Sequence, residues 1–168
     1  MQLLKDGNSQ AFEVLYERYF DKLTWFAQQF TFELHAAEDI VQEVFMKLIE
    51  RPQLFDMQKT FSTWIFTLVA NRGRNYIRDH KNRQELLHKN SHEAITHIQP
   101  IFDYQKLTAE LAKALQAMPE KDRSIFHLRF EQELPIKEIA SITQIPEGTV
   151  KSSIFYLLKK LSQKLKDF

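Results

Sequence analysis

Amide, guanidinium and aromatic side chains recur every three or four residues between positions 61 and 78. With about 100° of rotation per helical residue, six of them share one side of a helix: Trp64, Thr67, Asn71, Arg74, Asn75 and Arg78. Amides and arginine hydrogen-bond to base edges, and tryptophan can stack on an unpaired base. The spacing therefore predicts a helix with one face suited to nucleic acid. Its other side carries residues that predict burial, namely Phe61, Ile65, Leu68, Val69 and Tyr76.

Two residues of this predicted helix need a separate interpretation. Arg72 points toward the core side by the same arithmetic, so we expect its guanidinium group to snorkel or to pair with an acid. A glycine in a helix interior, as predicted for Gly73, lowers the stability of the helix by about 1 kcal/mol relative to alanine. Either a neighbouring backbone comes close to Gly73 or the glycine is merely tolerated, and the sequence leaves both interpretations open.

A second helix, predicted over residues 37–51, has an acidic outer side. Its core stripe comprises Ile40, Val41, Val44, Phe45, Leu48 and Ile49. The opposite side comprises Asp39, Gln42, Glu43, Met46 and Glu50. Glu38 and Asp39 are expected in the first turn, where the helix dipole favours negative charge. Such a face is typical of a solvated helix, so by itself it predicts no partner.

Residues 134–161 predict two helices joined by a tight turn that carries Pro146 and Gly148. The second helix has an apolar stripe made of Val150, Ile154, Leu157, Leu158, Leu161 and Leu165. Pro146 suits the first helical position, and Ile145 would close the turn. This arrangement predicts a helix-turn-helix, whose second helix enters a major groove. A plain pair of antiparallel helices gives a similar pattern.

The residues left outside that stripe bear hydroxyl groups, amines and one carboxylate. They are Glu147, Thr149, Lys151, Ser152, Ser153, Tyr156, Lys159 and Lys160. Such groups reach phosphates and base edges. A solvated helix face remains the alternative, because the front half of this helix has one positive charge, on Lys151.

Charge and composition narrow the possible functions. The 168-residue chain has a net charge of +1, distributed as −2 over residues 1–80, zero over 81–105 and +3 over 106–168. It is therefore no polycation that binds nucleic acid through bulk charge. The absence of cysteine fits a reducing cytoplasm, and no apolar run predicts a membrane span or a signal peptide. No phosphate-binding glycine loop, nucleophile elbow or metal cluster is recognisable, so we expect no enzyme, metal or cofactor.

Helical periodicity along almost the whole chain predicts an all-α protein with two small helical domains. The first, residues 1–80, starts with a helix from Ser9, its expected cap, to about Phe30. A polar linker over residues 81–105 carries His88, His92 and His97, for which we expect solvation rather than metal binding. Residues 106–168 predict a four-helix domain that includes the helix-turn-helix.

Three blocks of sequence resemble the sigma-70 family of RNA polymerase initiation factors, in its compact extracytoplasmic-function (ECF) group. The first block is DIVQEVF, residues 39–45, and the second is FSTWIFTLVANRGRNYIR, residues 61–78. The third contains L-x-x-M-P at 115–119, Phe130, IKEIA at 136–140 and GTVKS at 148–152. Helix-turn-helix sequences are common, but all three blocks in this order are specific to the family.

The resemblance implies a function for each face. Asp39, Gln42, Glu43 and Met46 would dock on the β′ clamp helices of core RNA polymerase, and the C-terminal domain would meet the β flap. The −10 promoter element would be read by Lys59, Thr60, Trp64, Asn71, Arg74, Asn75 and Arg78, with a flipped base held by the loop from Leu54 to Thr60. The −35 element would be read by the eight residues named above on the last helix. An anti-sigma factor is also implied, since no inhibitory extension or third sigma domain is recognised.

Some positions depart from the family pattern. Ser153 stands where an arginine is common, and further arginines are usual where this chain has residues 156–159. Because arginine is the better bidentate reader of guanine, the departure predicts fewer or differently specific −35 contacts. Asn75 stands where aspartate is frequent, which removes a negative charge near DNA.

A stand-alone helix-turn-helix regulator that binds duplex DNA without polymerase is the rival hypothesis. It explains the C-terminal third of the chain. The acidic outer side around Gln42 and the Trp/Asn/Arg face of residues 61–78 have no function in that hypothesis.

Overall fold

A computed structural model describes residues 2–5, 8–56, 58, 60–87 and 111–164. These residues are helical apart from short turns and include no strand, which confirms the all-α prediction. No helix among them is long and apolar enough to span a membrane. The chain divides into two compact units, residues 1–94 and 95–168, and each is described by itself. Most of the predicted linker, including its three histidines, lies outside the described residues.

The N-terminal unit contains four α-helices and one 3₁₀ turn among its described residues. They are α1 (Gln2–Lys5), α2 (Ser9–Thr31), α3 (Leu34–Glu50), the 3₁₀ turn (Pro52–Leu54) and α4 (Phe61–Leu87). The expected cap at Ser9 is wrong, because the Oδ1 atom of Asn8 accepts from the Ala11 N–H at 3.1 Å. Asn8 therefore fills the capping position that asparagine and serine both favour. Because α3 begins at Leu34, Glu38 and Asp39 lie in its second turn rather than in its first.

The core of this unit is built largely from aromatic rings. Phe26, Phe45 and Phe66 are almost fully buried. The Phe26 ring meets Phe30 edge-on at 5.4 Å and Phe66 at 5.2 Å between ring centroids. Such pairs contribute about 0.5–1.5 kcal/mol each beyond the burial of apolar area. Since α2 supplies Phe26 and contacts both α3 and α4, it holds those two helices in place.

The predicted core stripe of α3 is correct at five positions and wrong at one. Ile40, Val41, Val44, Phe45 and Leu48 are buried, whereas Ile49 is 53% exposed. Ile49 lies about 100° around the helix from the middle of the stripe. At that angle its side chain lies outside the buried stripe.

Gly73 in α4 is required by a close neighbour, which settles the question that the sequence leaves open. A Cβ atom at this position would lie within 3 Å of three atoms of the Phe30 side chain, with Cδ2 at 2.6 Å. The neighbour is an aromatic ring of α2 rather than a backbone segment. The glycine thus allows α2 and α4 to approach each other.

In the C-terminal unit, three helices each begin directly after a proline. Residues 111–116 form the described part of α5, followed by α6 (Glu120–Phe126), α7 (Ile136–Thr143) and α8 (Glu147–Lys164). The carbonyl oxygens of Pro119, Pro135 and Pro146 accept the first helical hydrogen bonds, at 2.9–3.2 Å. Proline lacks an N–H donor, so its place before the first turn removes one of the donors that a helix start would otherwise leave unsatisfied.

The turn between α7 and α8 differs slightly from its prediction. Gln144 adopts the left-handed conformation (φ 60°) and ends α7, and Ile145 is non-helical as expected. Pro146 lies one residue before α8 rather than at its first position. Gly148 is helical and not part of the turn, and a Cβ atom added to it would have no neighbouring atom within 4 Å.

The core of the C-terminal unit joins α5 to α8. Ala114, Met118, Leu157 and Leu161 form a buried cluster, which Leu111, Leu115 and Phe126 flank. Val150 is buried as predicted, but Leu158 is 46% exposed, so its predicted core position is wrong. It lies at the flank of α8, about 80° around the helix from Val150. Leu165, also predicted in this stripe, lies outside the described residues.

A buried arginine ties the end of α5 to α6. The Arg123 Nη1 atom donates to the Met118 carbonyl at 2.6 Å. Burial lowers the pKa of Arg123, and nearby Glu120 partly opposes this shift. Beyond α6 the chain continues as a π-helical segment, His127–Glu131, which leads to Pro135 and α7. Because α6 also packs against α7 and α8, it positions the helix-turn-helix relative to the preceding helices.

The two helical glycines should respond oppositely to substitution by alanine. Gly73→Ala should lower the free energy of unfolding by about 1–2 kcal/mol, because overpacking against Phe30 outweighs the gain in helix propensity. Gly148→Ala should raise it by about 0.5–1 kcal/mol, because the added methyl group meets no neighbour. Urea denaturation followed by circular dichroism measures both changes. Equal effects of the two substitutions would contradict the packing described for Phe30.

Candidate functional sites

The outer face of α3 combines charged, amide and apolar side chains. Asp39, Gln42, Glu43 and Met46 are all exposed, as the sequence predicts. Met46 is 60% exposed, and the neighbouring Ile49 extends its apolar surface. Apolar contact area with charged groups around it is typical of a surface that binds another protein. We call this surface, comprising Asp39, Gln42, Glu43, Met46 and Ile49, the α3 face.

Glu43 is held by an arginine of the adjacent helix. The Arg72 Nε atom donates to the Glu43 Oε2 atom at 2.6 Å, and the Arg72 Nη2 atom also contacts this oxygen. Arg72 therefore pairs with an acid, as the sequence predicts. Both side chains are nearly half exposed, so the pair adds no more than about 1 kcal/mol to stability. Its main effect is to fix the direction of the Glu43 carboxylate.

A shallow cleft lies beside this ion pair, between α3 and α4. Its walls include Asp39 and Ile40 from α3, and Tyr76, Asp79 and His80 from α4. The Tyr76 and His80 rings lie 4.4 Å apart between centroids. The cleft is continuous with the α3 face through Asp39 and Glu43.

The residues predicted to contact nucleic acid lie along one side of α4. Trp64, Thr67, Asn71, Arg74 and Asn75 are half-buried, and Arg78 is exposed. The Arg74 Nη1 atom donates to the Asn71 Oδ1 atom at 2.7 Å. The Thr67 hydroxyl donates within the helix, to the Thr63 carbonyl at 2.6 Å. We call Trp64, Asn71, Arg74, Asn75 and Arg78 the α4 face.

Trp64 is anchored by other aromatic rings. Its ring lies edge-on to Phe55 at 5.3 Å and meets Phe61 at 6.0 Å between centroids. Phe61 in turn meets Tyr19 of α2 at 5.1 Å. These contacts fix the orientation of the Trp64 indole, so its remaining surface can meet a base without a large loss of side-chain entropy.

Phe55 and Thr60 flank the loop before α4. Phe55 is buried at one end. At the other end, the Thr60 Oγ1 atom accepts from the Thr63 N–H at 3.2 Å and caps α4. Between them the Asp56 Oδ1 atom accepts from the Gln58 N–H at 2.9 Å. Lys59, which the sequence places in the DNA-binding set, lies outside the described residues.

On α8, six of the eight predicted DNA-binding residues are exposed. The exposed residues are Glu147, Lys151, Ser152, Tyr156, Lys159 and Lys160. Thr149 and Ser153 are half-buried, because they lie at the flank of the stripe that packs on α7 and α5. The Ser152 hydroxyl donates to the Thr149 carbonyl at 3.0 Å.

Phe155 is a surface residue of α8 to which the sequence pattern assigns no role. It is 64% exposed and lies one helical turn from both Lys151 and Lys159. Its ring meets Tyr156 edge-on at 5.5 Å between centroids. A helical wheel of α8 predicts the exposure of Phe155, since this residue lies about 140° from the core residue Val150. We call Lys151, Ser152, Phe155, Tyr156 and Lys159 the α8 face.

Comparison with known proteins gives matches over both units. The family model for sigma-70 region 2 matches residues 15–83, and the model for sigma-70 region 4 matches residues 108–161. Among curated proteins, ECF RNA polymerase sigma factor SigW of Bacillus subtilis is 29% identical over 98% of this chain and 94% of its own length. ECF RNA polymerase sigma factor RpoE of Cereibacter sphaeroides is 28% identical over 97% and 91%.

Solved structures that share the fold include two sigma-factor complexes. The sigma factor RpoE from Bartonella quintana, in complex with the anti-sigma factor NepR, matches with a TM-score of 0.76 at 23% identity, over 94% of this chain and 98% of that one. CnrH in complex with the cytosolic domain of CnrY matches with a TM-score of 0.69 at 22% identity, over 99% and 94%. At this identity the likeness concerns the fold alone.

Proposed function

The chain belongs to the sigma-70 family, in its ECF group, and is a transcription initiation factor that directs core RNA polymerase to promoters; from this premise we propose how its surfaces divide that task. The α3 face docks on the β′ clamp helices of polymerase. The α4 face melts and reads the −10 element. The α8 face reads the −35 element, in a C-terminal domain that also meets the β flap.

One observation supports this division best. The residues matched by the region 2 model, 15–83, include both the α3 face and the α4 face. A stand-alone regulator has no use for either surface, whereas an initiation factor needs a docking surface and a strand-separating surface in the same domain. We propose that residues 1–80 form the domain that docks on polymerase and reads the −10 element, that residues 81–105 form the linker, and that residues 106–168 form the −35 domain.

The chemistry of the α3 face fits a polymerase contact. The Glu43 carboxylate is held in place by Arg72, so it meets a basic partner with little loss of side-chain freedom. Met46 and Ile49 add exposed apolar area beside it. Apolar contact supplies affinity in such an interface, and charge supplies orientation and partner choice.

The α4 face fits a single strand better than an intact duplex. Its aromatic member, Trp64, can stack on a base only after that base has left the double helix. Asn71 and Arg74 bond to each other and offer an amide and a guanidinium group side by side. Since stacking and hydrogen bonding both reward an unpaired base, this surface favours the melted −10 element.

The α8 face carries little charge in its first two turns, so it binds DNA weakly by itself. Lys151 is the single cation among residues 147–158. When polymerase holds the N-terminal domain at the −10 element, the −35 contact becomes effectively intramolecular. Weak contacts are then sufficient, and the spacing between the two elements becomes part of the recognition.

We further propose that the protein acts in the cytoplasm as a binding factor without catalytic activity. The two similar solved structures are complexes, one with the anti-sigma factor NepR and one with the cytosolic domain of CnrY. By analogy an anti-sigma factor controls this chain. Such a partner could bury the exposed apolar residues of the α3 face. It would then prevent polymerase from binding the same surface.

Substitution of the α3 face tests the docking proposal. Gln42→Ala combined with Glu43→Lys should weaken binding to core polymerase by more than about tenfold (~1.4 kcal/mol), because it removes an amide and reverses a charge. Co-purification with core polymerase measures the loss, and circular dichroism checks the fold. Glu17→Lys, an exposed charge reversal on α2, should leave binding unchanged. Unaltered co-purification of the double variant would remove the docking assignment.

Substitution of the α4 face separates melting from docking. Asn71→Ala combined with Arg74→Ala should retain binding to polymerase but reduce permanganate reactivity of −10 thymines by roughly tenfold or more, because two groups that contact the unpaired strand are lost. Arg18→Ala removes an exposed guanidinium group on α2 and serves as the control. Normal permanganate reactivity in the double variant would contradict the proposal.

Phe155 should contribute to −35 selection through thymine methyl groups, which are the apolar feature of the major groove. Phe155→Ala should lower transcription roughly three- to tenfold from a promoter with a thymine-containing −35 element. Replacing those thymines by uracil removes the methyl groups and should abolish the difference between variant and wild type. An equal loss on thymine and uracil templates would show that Phe155 acts in another way.

A further inference from the structure

The N-terminal helix α1 is attached to the segment that precedes the −10 loop. The Lys5 Nζ atom donates to the Phe55 carbonyl at 3.2 Å, across fifty residues of chain. The same ammonium group lies 5.9 Å from the centre of the Phe55 ring, within range of a cation–π interaction. Two different groups of Phe55, its carbonyl and its ring, are thus held by one side chain.

Helix α1 is itself held in place, so the backbone of Lys5 has a fixed position. Leu4 is 7% exposed and packs into the unit. The Asn8 N–H donates to the Leu3 carbonyl at 2.9 Å, and the Asn8 side chain caps α2. Because α1 is held against the start of α2 in this way, the Lys5 contact fixes the position of Phe55 relative to α2.

Phe55 in turn connects to the α4 face. Its ring meets Trp64 edge-on at 5.3 Å and Phe61 at 5.9 Å between centroids. Its backbone leads directly into the loop that ends at the Thr60 cap. A shift of Phe55 would therefore move both the entry to the loop and the edge of the Trp64 ring.

We infer that Lys5 is a positioning residue for −10 recognition: through Phe55 it sets where the loop and Trp64 meet the unpaired non-template strand. The inference rests on the proposed function of the loop and the α4 face. Lys5 touches neither DNA nor polymerase in this role. It fixes the position of groups that do, and base selection depends on such positions to within a fraction of an ångström.

The test compares base selection by reconstituted holoenzymes. Promoters that differ in one non-template base of the −10 element, at each position in turn, are scored by open-complex formation. The ratio between the preferred base and the next best base measures selection. Lys5→Met keeps the alkyl stem but loses the ammonium donor, whereas Lys5→Arg keeps a cationic donor. Lys22→Met, an exposed lysine on α2, is the control.

At the position read in the loop, Lys5→Met should lower the selection ratio roughly three- to tenfold, because Phe55 and the entry to the loop are no longer held in one position. Lys5→Arg should restore most of the ratio, and Lys22→Met should not change it. Binding to core polymerase should be equal in all four proteins. A lower melting temperature of Lys5→Met is acceptable, because the ratio is measured well below it.

Two results would overturn the inference. The first is an unchanged ratio in Lys5→Met, and the second is an equal loss of activity with every base, which indicates a structural role alone. A wild-type holoenzyme that selects no base at any −10 position would instead contradict the proposed function of the loop. The failure of the inference and the failure of the proposed function are therefore distinguishable.

Discussion

The close approach of the Phe30 ring to the backbone of α4 at Gly73 is the constraint on which the N-terminal unit depends. It brings α2 and α4 together at a distance that no larger residue permits. The aromatic core around Phe26, Phe45 and Phe66 then fixes α3 against both α2 and α4. The α3 face and the α4 face thereby become parts of one rigid body. A protein contact and a DNA contact can then be made with a constant geometry between them.

Polar groups on the functional surfaces are already bonded to neighbours on the protein. Glu43 bonds to Arg72, Asn71 to Arg74, and the Ser152 hydroxyl to the Thr149 carbonyl. Each such bond restricts side-chain rotation before any partner arrives, which lowers the entropy lost on binding. A partner must also match or replace the existing bond. Partners with poorly placed groups gain little, so the pairing favours specificity over raw affinity.

The sequence correctly predicts the features that follow from helical periodicity. It fails for features that depend on a residue distant in the chain. The α4 face follows from the spacing of Trp64 to Arg78, because a long helix keeps its phase. Ile49 and Leu158 are assigned to the core wrongly, since a helical wheel does not show how wide the covering surface is. The partner of Gly73 and the contact between Lys5 and Phe55 need tertiary structure. Asn8 rather than Ser9 caps α2 because both residues are good caps and the pattern does not separate them.

The lysines of α8 lie mostly beyond its first two turns, at positions 159, 160 and 164, while the net charge of the chain is only +1. A genome offers on the order of 10⁶–10⁹ non-specific binding sites. A strongly cationic factor would spend most of its time on them and little time in free solution. We expect this chain to be attracted only weakly to arbitrary DNA and therefore to stay largely in free solution, where polymerase can bind it. The outcome of competition among initiation factors for a limited supply of polymerase would then depend on the affinity of each factor for polymerase and on its abundance. Non-specific binding to the chromosome would change the free concentration of this chain only slightly.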